Sequence, residues 1–239
     1  MSAPSEKKVA LITGGSGYVG SAIANRLSKD GWHVVSLSRN PKVAEGVEGV
    51  SCDIADTGTL TKTATSLLVK YPTIDAFIHC AVAPTTRTSL ENATELQVDN
   101  EFKVTVTSIE VLAGLLESHM EAESTFIAIT TQSLEKSVPE KNIGAYLPAK
   151  QALRDFLRSL SSKWEEKGIR VYAVAPVFLP GGLNKELPEG VRKLLSRQTD
   201  GTEASAEDVA GLVSILCKQN AEYQSGTSIT VPARSVSQL

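Results

Sequence analysis

Short apolar runs alternate along this chain with longer segments in which apolar residues recur every three or four positions. The short runs are Val9–Thr13, His33–Ser38, Gly49–Asp53, Ile74–Cys80, Thr125–Thr131, Ile169–Ala175 and Thr227–Val231. Each is apolar enough to be covered on both faces, as strands of a parallel sheet are. The longer segments predict helices over Tyr18–Asp30, Thr57–Lys70, Ala93–Glu121, Ala145–Lys167, Lys185–Arg197 and Ala206–Gln219. This β, α, β, α order predicts one α/β domain over residues 1–239, a doubly wound Rossmann-type parallel sheet of about seven strands with helices on both faces. Two stretches with turn chemistry, Ser133–Gly144 and Pro176–Asn184, follow the fifth and sixth strands. Ligands of open α/β sheets bind outside the carboxyl ends of the strands, so these loops are expected to flank the site.

The loop after the first strand reads Thr13-Gly14-Gly15-Ser16-Gly17-Tyr18-Val19-Gly20 and runs straight into a helical segment. A dinucleotide needs backbone N–H groups aimed at its pyrophosphate from a helix N-terminus, with glycines where a Cβ would collide. Residues Gly14 to Gly20 meet that need, although a tight turn with close helix packing would produce the same glycines. The second strand ends at Ser38-Arg39-Asn40, without the acidic residue that accepts from a ribose 2′-hydroxyl. Arg39 suits a 2′-phosphate, so NADP(H) is expected over NAD(H); a solvated loop charge is the plainer alternative. Asp53 and Ile54, past the third strand, are placed to bracket the adenine, or Asp53 caps the following segment.

Tyr146-Leu147-Pro148-Ala149-Lys150 opens an amphipathic helix, with Pro148 in the first turn where its missing N–H costs nothing. The i,i+4 spacing sets the Lys150 ammonium one turn from the Tyr146 phenol, which favours the phenolate and tunes the group for proton exchange. Ser133, just past the fifth strand, offers a hydroxyl to a substrate carbonyl. Singly, each of the three has a dull explanation as loop cap, half-buried aromatic or surface charge.

Composition narrows the classes. With 24 Lys+Arg against 27 Asp+Glu, a formal net charge of −3 and no charge blocks, there is no footprint for nucleic acid or anionic lipid. Hydrophobic residues make up 41% of the chain, enough for a substantial core, yet no apolar run reaches bilayer length and the start is polar. Cys52, Cys80 and Cys217 form neither a metal motif nor a disulfide framework, so no metal is expected and a reducing, cytoplasmic compartment is.

Thr13–Gly20, Asp53, Ser133, Tyr146-x-x-x-Lys150 and Ala175-Pro176, in this order and spacing, resemble the short-chain dehydrogenase/reductase family over nearly the whole chain. The resemblance implies that Tyr146 is the general acid, that Lys150 lowers its pKa and holds the ribose, and that Ser133 orients the carbonyl. It also implies Asn100 as support for a proton-relay water, a residue that reads equally well as a polar position in a helical turn. Ala81 and Pro176 fall where the family lines its cofactor. The last third, including Leu187–Leu195, Ala206–Ala210 and Ser225–Val231, is similar to 3-oxoacyl carrier-protein reductases and implies a lid over about 180–200 after the sixth strand. The apolar face of that lid, Leu187, Val191, Leu194 and Leu195, is expected to close over an acyl chain, on an acyl carrier protein or otherwise.

Four departures bear on substrate more than on chemistry. Tyr18 stands where the short single-domain branch has its middle glycine, and Gly17 gives the spacing of the sugar-nucleotide branch, although only about fifty residues follow Pro188, too few for that branch's second domain. His79-Cys80-Ala81-Val82 replaces Asn-Asn-Ala-Gly, with His79 and Cys80 expected to be structural. Pro176-Val177 replaces Pro-Gly, and Pro232-Ala233-Arg234-Ser235 lacks paired glycines. An NADPH-dependent reductase of a 3-oxoacyl thioester or polyketide-type ketone is therefore expected, against a non-catalytic NADP(H)-binding sensor or a nucleotide-sugar epimerase or dehydratase. Val106, Ile109, Leu112, Leu115 and Leu116 exceed what one sheet face needs, and the family resemblance implies that a homodimer or homotetramer covers them.

Overall fold

The computed structural model describes residues 7–84, 89–135, 144–185, 187–191, 193, 204–218 and 221–231. Its centre is a seven-stranded sheet in the order β3-β2-β1-β4-β5-β6-β7. The strands are β1 (Val9–Thr13), β2 (His33–Ser38), β3 (Val47–Ser51), β4 (Ala76–His79), β5 (Thr125–Ile129), β6 (Arg170–Pro176) and β7 (Ser228–Val231), and every neighbouring pair is parallel. The expected doubly wound sheet is the observed one. The chain reverses direction across the sheet between β1 and β4, so a crevice opens above their carboxyl ends.

Alternation along each strand divides the core into two layers. Leu11, Phe77, Phe126 and Val171 point to one face, where they meet α2 (Thr57–Lys70), α4 (Ser108–Leu116) and α5 (Tyr146–Trp164). Ile12, Ile78, Ile127 and Val174 point to the other, packed by α1 (Tyr18–Lys29) and α6 (Ala206–Leu216). On the first face Trp164 closes the layer edge-on to Phe126, with ring centroids 5.3 Å apart at 82°.

The expected Ala93–Glu121 helix is three segments. Thr94 closes a capping box with Gln97 and starts α3 (Glu95–Phe102), a π-helical turn follows over Lys103–Thr107, and α4 ends at Leu116. The β-branched run Val104-Thr105-Val106-Thr107 is stiff at χ1 and weakens the α-helical ladder. Side-chain hydroxyls also intervene: Ser108 Oγ donates to the Val104 carbonyl at 2.7 Å, and Thr105 Oγ1 donates to Glu101 Oε1 at 3.0 Å. Ile109, Leu112 and Leu116 are buried in the chain's own core, leaving Val106 and Leu115 half-buried, so the apolar excess expected on this helix is smaller than the sequence suggests. Glu186, Arg192 and residues 194–200 of the expected lid, Leu194 and Leu195 among them, lie outside the described residues. Among the described residues, no helix is long and apolar enough to cross a membrane.

Candidate active site

The glycine loop is fixed by contacts that only glycine permits. Gly14 has φ +71°, and a Cβ there would stand 2.8 Å from Ala81 Cα, so Ala81 forms the wall of the loop. A Cβ on Gly20 would sit 2.2 Å from the Gly14 carbonyl oxygen, which brings the first turn of α1 directly onto the loop. Gly17 is the N-cap of α1 and contributes no capping side chain, and the first turn has no acidic residue. By contrast, α2, α3 and α6 are capped by Asp56, Thr94 and Ser205. Among the described residues, the leading N–H groups of α1 thus have no side-chain cap, and they carry the positive end of the helix dipole, a donor set that fits a dinucleotide pyrophosphate.

At the end of β2, Ser38 Oγ accepts from the Ser16 N–H at 3.3 Å, tying the loop to the strand. Arg39 is exposed; its carbonyl accepts from Ser51 Oγ at 3.2 Å, and its guanidinium has no ion-pair partner among the described residues. Asp53 Oδ1 accepts from the Ala55 N–H at 3.1 Å, while Ile54 is buried in the core.

Above the carboxyl ends of β1, β4, β5 and β6 lies a cavity of about 210 Å³. It is lined by Gly17 to Gly20, by Ile129 to Ser133, by Tyr146 and Lys150, and by the loop that begins at Pro176. Ser133 sits in a 3-10 turn over Gln132–Glu135, with its N–H donating to Thr131 Oγ1 at 3.2 Å. An ion pair between Glu135 and Arg154 ties this turn to α5, the helix that presents Tyr146 and Lys150. Lys150 Nζ lies 5.7 Å from the centre of the Tyr146 ring and donates to the Ile129 carbonyl at 2.7 Å.

The site is dry enough to change its own titrations. Burial lowers Lys150 to about 8, while the charge of Glu101 pulls it upward. Beneath it, His79 Nδ1 and Thr13 Oγ1 share a hydrogen bond of 2.8 Å, and burial, aided by the Lys150 ammonium, lowers His79 to about 3. Burial pushes the Cys80 thiol up to about 12, against the pull of Lys150. Among the described residues no cluster of His, Cys, Asp or Glu could hold a metal ion.

Of the residues singled out in the sequence, Ser133, Tyr146, Lys150, Gly17, Tyr18, Val19, Gly20 and Pro176 line this one cavity. Gly14, Gly15, Ser16 and Ala81 build the loop beside it, and Arg39, Asp53 and Ile54 lie at the strand ends beyond. Asn100 is half-buried and does not line the cavity; the residue that α3 buries is its neighbour Glu101. Sequence reasoning passed over Glu101, whose signal is an acidic residue three positions after Val98 and four before Thr105, on one helical stripe. It also passed over the contact of Tyr18 with Gly181 and Gly182, where a Cβ on Gly181 would fall 2.5 Å from the Tyr18 ring.

A family model described as enoyl-(acyl carrier protein) reductase matches residues 16–233. The chain belongs to the short-chain dehydrogenase/reductase family. Its relatives in that family include dehydrogenase/reductase SDR family member 4 of Mus musculus, 26% identical over 250 residues that cover 99% of this chain and 90% of that protein. Dehydrogenase/reductase SDR family member 2, mitochondrial, of Homo sapiens is 28% identical over 95% of this chain and 86% of its own length. Among solved structures, a short-chain dehydrogenase/reductase from Serratia marcescens superposes with a TM-score of 0.84 at 23% identity, covering 96% of this chain and 98% of that one. A short-chain dehydrogenase from Burkholderia cenocepacia, in complex with NADP, gives 0.81 at 23% identity over 94% and 96% of the two chains. As a short-chain dehydrogenase/reductase, the protein is an oxidoreductase of CH–OH and C=O groups. These relatives do not single out a 3-oxoacyl thioester.

Proposed function

We propose that the protein is an NADPH-dependent carbonyl reductase and that its substrate is a 3-oxoacyl thioester or polyketide-type ketone, free or on an acyl carrier protein. The observation that carries this reading is that Ser133, Tyr146, Lys150 and the first turn of α1 line a single cavity. NADP(H) is favoured by the uncapped start of α1 and by Arg39, whose guanidinium is available to a 2′-phosphate; the Burkholderia cenocepacia neighbour is in complex with NADP. Asp53 and Ile54 are assigned to the adenine end of the cofactor, with the backbone there as the contact since the Ile54 side chain is in the core. An acyl chain is supported by the apolar residues Val177, Phe178, Leu179 and Leu183 on the covering loop, continued by Leu187 and Val191.

When bound, the nicotinamide supplies the hydride. The protein's own groups do the rest. Ser133 donates a hydrogen bond to the carbonyl oxygen and holds it beside the phenol, and Tyr146 gives its proton to that oxygen as it gains charge. The Lys150 ammonium stabilises the negative charge left on the phenolic oxygen, and the dry surroundings strengthen that attraction. Lys150 then returns a proton toward Tyr146, with Asn100 assigned to a water that feeds it.

The test is NADPH oxidation with a panel of 3-oxoacyl thioesters and simpler ketones. Turnover is expected, reduced about 10²–10⁴-fold or more in Tyr146→Phe. Cofactor binding without turnover on any carbonyl would replace this reading with the sensor, and conversion of a nucleotide sugar with the epimerase. A homodimer or homotetramer is proposed with it, to be checked by mass in solution. The three cysteines are free thiols, which supports a reducing, cytoplasmic compartment.

A further inference from the structure

Burying an amine as completely as Lys150 works against its charge. The side chain is 1% exposed, and the cost of desolvating an ammonium falls away only if a negative group lies close by. The groups that face it are His79 and Cys80 from the end of β4, Tyr146 from its own helix, the Ile129 carbonyl from β5, and Glu101 from α3. His79 and Cys80 are both neutral near pH 7. Glu101 is therefore the negative charge acting on Lys150 at that pH among the described residues.

Glu101 is itself 2% exposed, although a carboxylate on an ordinary helix surface belongs in water. Its burial is built into the backbone. The π-helical turn begins two residues later, and Thr105, wholly buried within that turn, donates its hydroxyl to Glu101 Oε1 at 3.0 Å. The turn packs against α5, the helix that carries Lys150. π-Helical turns inside α-helices recur at functional sites because they re-aim side chains.

We propose that Glu101 is a positioning residue of the reaction: its buried carboxylate, held by Thr105 and the π-helical turn, keeps Lys150 in the ammonium form beside Tyr146. This rests on the reductase reading for its consequence in catalysis, but the electrostatic link is measurable without turnover.

The experiment follows the Cε resonance of Lys150 in protein labelled at lysine with ¹³C, assigned by its loss in Lys150→Met, through a pH titration. In Glu101→Gln, which keeps shape and removes charge, the Lys150 midpoint is expected to fall by about one pH unit. At pH 7.5 that leaves about threefold less ammonium than in the wild type. In the same variant the alkaline fall of kcat/KM shifts by the same amount, whereas a purely structural role would lower activity equally at every pH. Glu101→Asp retains the charge one methylene further away and gives a smaller shift in the same direction, which also decides the matter should Glu101→Gln fail to fold. An unmoved Lys150 midpoint in the variants overturns the proposal. If no carbonyl is reduced by the wild type, the reductase reading falls, while the resonance still decides the role of Glu101.

Discussion

His79 offers a measurement of how dry the floor of the site is. Its ring, at the end of β4, is wholly buried and hydrogen-bonded to Thr13, and its imidazole is held down to about 3 by burial and by the Lys150 ammonium. In the unfolded chain an imidazole titrates near 6.5. The folded state therefore binds fewer protons than the unfolded state between those two values, and stability must fall as the pH drops through that window. Each pH unit well inside it costs about 1.4 kcal/mol, and between pH 7 and pH 5 the integrated loss is about 2 kcal/mol. Against a total stability of about 5–15 kcal/mol this is readily seen. Asn, which stands at this position in the family pattern, has no proton to gain. Urea unfolding of the wild type and of His79→Asn, followed by the fluorescence of buried Trp164, gives the comparison. The wild type is expected to lose about 2 kcal/mol more than the variant between pH 7 and pH 5. Equal losses in the two proteins would mean that water or a counter-charge reaches the ring, and a dry inner site would be refuted.

Arg39→Ala is expected to weaken NADPH binding by about 10–100-fold and NADH binding far less, as read by quenching of protein fluorescence; equal weakening removes the 2′-phosphate role. Gly14→Ala, which strains a positive φ and drives a methyl into the Ala81 backbone, is expected to abolish cofactor binding before it abolishes folding, and wild-type affinity in that variant would contradict the cradle geometry. Ser205→Ala removes the capping box of α6, in which Ser205 Oγ accepts from the Asp208 N–H at 3.1 Å, and is expected to lower stability by about 1 kcal/mol with cofactor affinity unchanged.

Most of the frame was legible in the sequence because its strands are buried on both faces and its glycines sit at forced positions. Val9–Thr13 and His33–Ser38 were read to the residue, whereas the edge strand β3 was read two residues late, at Gly49 instead of Val47. An edge strand is paired on one side only, and its half-exposed pattern gives periodicity little to work on. The juxtaposition of Tyr146 and Lys150 was legible for a different reason, since the two are related by helical spacing alone. What could not be read depends on contacts distant in sequence. The ring of Tyr18 rests on Gly181 and Gly182, more than 160 residues later, and nothing local to either segment announces it. Likewise, Asn100 is the amide of the expected motif, and nothing local in the sequence marks its neighbour Glu101 as the residue that α3 buries.

The same desolvation that makes Lys150 effective also limits it. An ammonium acts most strongly on the Tyr146 phenol when water is excluded, yet exclusion of water has already brought Lys150 to about 8. Further burial would discharge it at neutral pH, and further exposure would screen it. His79 at about 3 and Cys80 at about 12 gain and lose their protons outside the interval that matters, so from about pH 3 up to about pH 8 the ammonium is the constant feature of the inner site. Catalysis, wherever it is limited by proton transfer from Tyr146, is thus expected to hold a plateau through neutral pH and to decline as Lys150 discharges above about 8. A decline centred near 10.4, the value of a solvated lysine, would mean that Lys150 is hydrated in the working enzyme and that burial does not set its charge.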